Sequence, residues 1–252
     1  MGKRHRSGIG HWPWLCAVSM GLACHAAVAQ GVARSEFRTM FQDVVLKHEY
    51  EGSALRPLLR WEVPVHLSVS FGASVSGMDR ATDLKSIRVV TKTIASATKH
   101  GISVAGTQGN FHVYVVSEAE LAALGPTLQT TVGLSESSAL SLTRMPRNTN
   151  CIVVALPERD KTKGYHSAVA IIRSDLPATR RESCFYEEIA QGMGLPNDCR
   201  ERFTVFNDDD EFAHYTAMDL AMMGAVYDRR LTSGMPPEVV MRLLDDIHAS
   251  GS

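Results

Sequence analysis

Cys184-Phe185-Tyr186-Glu187-Glu188-Ile189-Ala190-Gln191-Gly192-Met193-Gly194-Leu195-Pro196-Asn197-Asp198 is the stretch on which the reading of this chain turns. Phe185, Ile189 and Met193 recur four residues apart and make the apolar stripe of a helix, expected over residues 179–194. Glu187 and Gln191 are also four apart, so they share another face, and Glu188 stands three before Gln191. Gly194 permits a sharp exit, which returns Asn197 or Asp198 toward that polar face. The candidate catalytic residues are therefore Glu187, Glu188 and Gln191, with Asn197 and Asp198 as candidate binding residues.

Working outward, Cys151–Leu156 is a continuous apolar run, expected as a strand buried on both faces. Ser167–Ile172 reads as another strand, and Phe111, Val113 and Val115 alternate within a third over residues 110–116. Val63, Val65, Leu67 and Val69 alternate with polar residues or proline, which predicts a strand over residues 58–69. An amphipathic helix is expected over residues 79–99, carried by Leu84, Ile87, Thr91, Ile94 and Thr98 and stopped by Gly101. Ser117 and Glu120 form a capping box for a short helix that Gly125 and Pro126 end. Phe37, Met40, Phe41, Val44 and Val45 suggest a helical segment near the front of the mature chain, and further helices are expected over residues 212–226 and 237–248. Sheet-forming segments in front and helices behind make an α+β layout.

The 252 residues carry 26 Lys and Arg against 27 Asp and Glu, with no basic stripe. Nucleic acid would need clustered cations to neutralise its phosphates, so no nucleic-acid partner is implied, nor an anionic membrane surface. Residues 1–14 are basic and polar, residues 15–23 are apolar or small, and Ala27-Val28-Ala29 precedes Gln30. This is the pattern of a secretory signal peptide on residues 1–29, cleaved near Ala29. The competing reading is a lipid anchor on Cys24, although Leu22 stands one place from where a lipoprotein signal has it. The apolar run is far short of the roughly 20 residues that span a bilayer, so no membrane span is implied. A single domain over residues 30–252 is expected in the periplasm or outside the cell.

Three cysteines survive cleavage, Cys151, Cys184 and Cys199, and no CxxC is present. Any one of three bridges can form in an oxidising compartment. Cys151 with Cys184 is preferred because it ties a strand start to a helix start, which leaves Cys199 as a buried thiol or, as the lesser alternative, an intermolecular link.

The polar helix has the spacing of a zinc-peptidase helix, in which two His four apart hold the metal and the Glu between them is the general base. Here Glu187 and Gln191 occupy the two His positions, Glu188 the base position, Gly194 the turn and Asn197 the third-ligand position. Glu187-Glu188-x-x-Gln191-x-x-Gly194-Leu195-x-Asn197-Asp198 is followed by Phe206–Ala213, Thr216, Asp219, Tyr227-Asp228-x-Arg230-Leu231 and Gly234-Met235, and preceded by Arg60-Trp61 and Pro64. On these residues the chain resembles an uncharacterised family of exported bacterial proteins, grouped by remote similarity with zincin-type metallopeptidases. The resemblance implies a mixed twisted sheet with a long backing helix, an active-site-type helix and a helical C-terminal part. It adds Tyr227 and Arg230 as candidate binding residues and sets Met235 where one branch of zincins has a Met-containing turn.

Both His ligands are absent, and zinc favours imidazole and thiolate. Glu187, Gln191 and Asn197, the possible metal positions, offer one charge and two neutral oxygens, which suit Ca²⁺ weakly. His48-Glu49 does not restore the motif, because Gly52 lies four after His48. A plainer reading puts Glu187 and Glu188 in the first turns of their helix, where the dipole favours carboxylates. The acidic run 207–211 is likewise explained by Asn207 or Asp208 capping the next helix, and Arg229 and Arg230 by an ion pair with Asp228. Three functions are weighed. One is a binding or structural envelope protein with a decayed metal site and a peptide or envelope partner. Another is a peptide hydrolase with Glu188 as base. The third, glycan hydrolysis by Glu187 and Glu188, is disfavoured because neighbouring helix residues diverge by about 100°.

Overall fold

β3 (Phe111–Val116) is buried at every position because the sheet is covered on both faces. Phe111, Val113 and Val115 point into one core, Tyr114 and Val116 into another, as the period of two requires. The computed structural model describes residues 34–47, 54–106, 108–200, 203–207 and 212–250. Phe37–Ser252 form one unit and Met1–Glu36 another, and the elements below belong to the former. The signal segment on residues 1–29, Cys24 and His48-Glu49 lie outside the described residues.

Among the described residues the sheet has five strands in the order β2 (Ile102–Val104), β1 (Val65–Phe71), β3, β5 (Tyr165–Arg173), β4 (Cys151–Pro157). The first four run parallel, and β4 lies antiparallel to β5 at the edge. One face is covered by α1 (Gly77–Thr98) together with α4 (Ala178–Gly192), and α5 (Ala217–Val226) packs on α1. The other face is covered by α2 (Glu118–Ala122), helical turns over 125–132 and α3 (Glu136–Thr143). The final helix, α6 (Pro237–Ser250), packs against α5. The protein is thus α+β with a mixed sheet, and no helix among the described residues is long and apolar enough to cross a membrane.

Several expected boundaries move for physical reasons. β1 begins at Val65, because Pro64 has no N–H for a ladder, and Val63 stands 48% exposed. Lys99 takes the left-handed C-cap conformation of α1 at φ 56°, so the helix ends before Gly101. Pro126 opens a new helical turn rather than closing one. α5 starts at Ala217 under a capping box of Thr216 and Asp219, so neither Asn207 nor the acids after it cap that helix. β4 alternates Cys151, Val153 and Ala155 toward one core with Ile152, Val154 and Leu156 toward the other, which explains its apolar run. All seven of its residues nevertheless remain partly exposed, because β4 is an edge strand and not an interior one.

The capping box at α2 is present as the spacing implies, and Glu120 does more than cap. Its carboxylate also accepts from the Ser74 N–H at 2.8 Å and the Ser74 hydroxyl at 2.7 Å, joining the loop after β1 to the loop after β3. The backbone hydrogen bond from Ser117, with those from Ser74, lowers the Glu120 pKa from 4.5 to about 2. A depressed folded pKa means that this stabilisation is complete above the unfolded value and lost as pH falls toward about 2. Glu120→Gln is therefore expected to lower the urea midpoint at pH 7 and to leave it unchanged near the acid limit. Equal effects at both ends would contradict the assignment.

Across the first core, Arg181 of α4 forks onto Asp83 of α1 at 3.0 Å, and Asp83 is only 2% exposed. Burial pushes the Asp83 carboxyl up despite the guanidinium beside it, so the pair is a costly way to dock two helices. Asp83→Ala should destabilise by up to about 3–5 kcal/mol, since it removes the buried partner of Arg181 and leaves it the more exposed Asp79 at 3.1 Å. Replacing Asp83 by Leu together with Arg181 by Met should cost far less. Chemical denaturation of the two variants checks this.

Candidate functional site

The polar half of α4 is held against the sheet by contacts that tolerate no bulk. A Cβ on Gly192 would fall on the Phe111 ring and 3.2 Å from Val153 Cγ2. Gly194 sits at φ 111°, and a Cβ there would stand 2.8 Å from the Leu59 carbonyl oxygen. The carbonyls at the helix end are satisfied by side chains: Trp61 Nε1 donates to the Gly192 oxygen at 2.9 Å, and the Tyr227 hydroxyl to the Met193 oxygen at 2.8 Å. Cys151 and Cys184 are joined, with Cα atoms 6.0 Å apart, so β4 is covalently tied to α4. Closing a loop over a sequence separation of 33 corresponds to roughly 3–4 kcal/mol in the chain-entropy account. Cys199 takes no part in the bridge and is half-buried rather than buried.

Glu187, Glu188, Gln191, Asn197 and Asp198 all line one cavity of about 460 Å³, facing Cys151 and its neighbours on β4. The chain returns after Gly194 as the spacing implies, and Gln191 Nε2 donates to Asp198 Oδ1 at 2.7 Å. Glu188 is 4% exposed. Asn197 is committed elsewhere: its Nδ2 donates to the carbonyls of Val44 at 3.0 Å and Lys47 at 2.9 Å, which anchors the front segment. It is thus a brace for the cavity wall.

The dipole explanation of the two carboxylates does not survive. Glu187 and Glu188 lie in the C-terminal half of α4, away from the positive end of the helix. Carboxylates there gain nothing from the helix itself.

Sequence reasoning missed the opposite wall. Arg56 lines this cavity and also a neighbouring one of about 400 Å³, together with Lys47, Lys161 and Val153. Both share Gln191 and Pro196, so they are adjoining parts of one cleft along β4. No periodicity marks Arg56, which lies in a loop, or Lys161, which opens a three-residue helical turn.

Cys151 Sγ and carboxylate oxygens of Glu187 and Glu188 lie within 4.8 Å of one another. The sulfur is bonded to Cys184 and has no thiolate to offer. Two carboxylates and an amide oxygen then remain, a set that does not fit zinc and suits only a hard cation.

Tyr227 and Arg230 do not line the cleft. Burial raises the Tyr227 hydroxyl pKa, and the group braces the end of α4 while the Arg60 guanidinium stacks 5.5 Å from its ring. Arg230 grips Asp228 at 2.8 Å, the expected ion pair, and that hydrogen bond lowers the Asp228 pKa. His214 packs on Phe212, and the Met235 carbonyl accepts from the Leu58 N–H at 2.9 Å. These residues hold the rear of the domain together.

Fold and site define an α+β domain whose polar helix packs over β4, an edge strand among the described residues. The chain belongs to the family described as "Protein of unknown function (DUF2927)", which matches residues 34–246. A search of curated proteins finds no match.

Gly192→Ala should cost about 1–3 kcal/mol by overpacking against Phe111, read from the urea midpoint. A neutral effect would show that α4 can move off the sheet.

Proposed function

We propose that this is an exported, zincin-like domain with a decayed metal site that binds extended peptide segments in the cleft between α4 and β4. The observation that carries it is the convergence of Glu187, Glu188, Gln191 and Asp198 in one cavity beside a strand that, among the described residues, pairs on one side only. An unpaired edge offers main-chain donors and acceptors to an added strand, and the side chains on the helix supply selectivity. Order in the sheet, with an antiparallel edge strand next to the polar helix, supports the zincin-like reading. The disulfide suits an oxidising compartment and a signal segment on residues 1–29. Asp198 and Gln191 act as one hydrogen-bonded unit at the cleft wall, and any cation held there is hard and weakly bound.

A second reading is supported by the burial of Glu188 within the cavity: a carboxylate removed from bulk water and facing a bound peptide is placed for general-base work. Glu188→Gln keeps the shape and removes the base. If the domain only binds, the wild type should retain members of a peptide library without cleaving them, and the variant should behave alike to within about threefold in Kd. Cleavage by wild type but not by Glu188→Gln would move the assignment to a hydrolase. Neither retention nor cleavage of any peptide would sink both.

A further inference from the structure

Among the described residues, the lining of the cleft changes charge along β4. At the Pro157 end its lining carries Lys47, Arg56 and Lys161, with no acid among the described residues. Lys47 pairs with Asp43 at 2.6 Å, whereas Lys161 is exposed on the short helical turn after β4. At the Cys151 end the lining carries Glu187, Glu188 and Asp198, and Arg56 stands between the two parts. The charges therefore change sign over the length of one strand of seven residues, roughly 20 Å.

This arrangement rests on the peptide-binding reading above and sharpens it. Antiparallel pairing is somewhat stronger per residue than parallel pairing, so an added strand runs from the Pro157 end toward the Cys151 end. Its earlier residues then pass Lys47, Arg56 and Lys161, and its later residues pass Glu187, Glu188 and Asp198. A mismatched order sets like charges against each other in a cleft partly shielded from water, where the repulsion is larger than at an open surface. We propose that the preferred ligand is an extended peptide with acidic side chains toward its N-terminal end and basic side chains toward its C-terminal end. Lys161 and Arg56 select the first group, and the acids of α4 with Asp198 select the second.

Three end-blocked, fluorescein-labelled peptides test this by anisotropy at low salt. One has two Asp, a Val-Ala-Val-Ala centre and two Lys. A second has the same residues with Asp and Lys exchanged, and a third has Ser at all charged positions. The acidic-first peptide should bind about tenfold more tightly than its exchanged isomer, and added salt should narrow the gap. Lys161→Glu, at an exposed position, should cut that preference at least about threefold while the circular dichroism spectrum stays that of the wild type. Equal binding of all three peptides would overturn the charge-order proposal and leave peptide binding standing. Tighter binding of the exchanged isomer would overturn it too, since the added strand would then run parallel. Binding of none would remove the peptide reading along with it.

Discussion

The ring of Phe111 lies where a Cβ on Gly192 would stand, so the C-terminal end of α4 rests on a side chain of β3 while the helix packs over β4 and β5. That approach sets the height of the helix above the sheet, and with it the width of the cleft. The other restraints reinforce the same position. The bridge from Cys151 to Cys184 ties β4 to the helix near its middle, and Arg181 with Asp83 ties its first half to α1. Trp61 and Tyr227 close the carbonyl end. A helix held at so many points cannot adjust to a ligand by tilting, so the polar groups on its face are pre-positioned.

The chemistry follows from that placement. Glu187 and Glu188 sit where the helix dipole does not favour them, and Gln191 Nε2 is turned onto Asp198. The sulfur nearest to the carboxylates is locked in a disulfide. What remains is a polar cavity of carboxylate and amide oxygens with a cationic neighbour, a set that does not fit zinc.

Much of the site was legible because it is local. Four-residue spacing put Glu187 and Gln191 on one face, and Gly194 announced the bend that brings Asp198 back. Tyr227 and Arg230 share the family pattern with the site residues but brace the rear of the molecule, because a recurring motif records packing needs as readily as binding ones. Arg56, Lys47 and Lys161 were invisible: Arg56 reaches the cleft from a loop, Lys47 from the C-cap of a helical turn and Lys161 from the start of a three-residue one, positions with no period to read.

From the sequence alone came the elements whose cause is short-range: the apolar stripe of α4, the capping box at Ser117 and Glu120, the alternation within β3 and the preferred Cys151–Cys184 pairing. Tertiary structure decided what depends on partners distant along the chain. Cys151–Pro157 reads like an interior strand because both of its faces are covered, and only the sheet order leaves its backbone edge open. Asn197 reads as a possible ligand, and only the fold shows that its Nδ2 also anchors the front segment through the Val44 and Lys47 carbonyls. Hydrophobic period reports whether a face is buried; it carries no information about which neighbour buries it, or whether a neighbouring strand is there to pair.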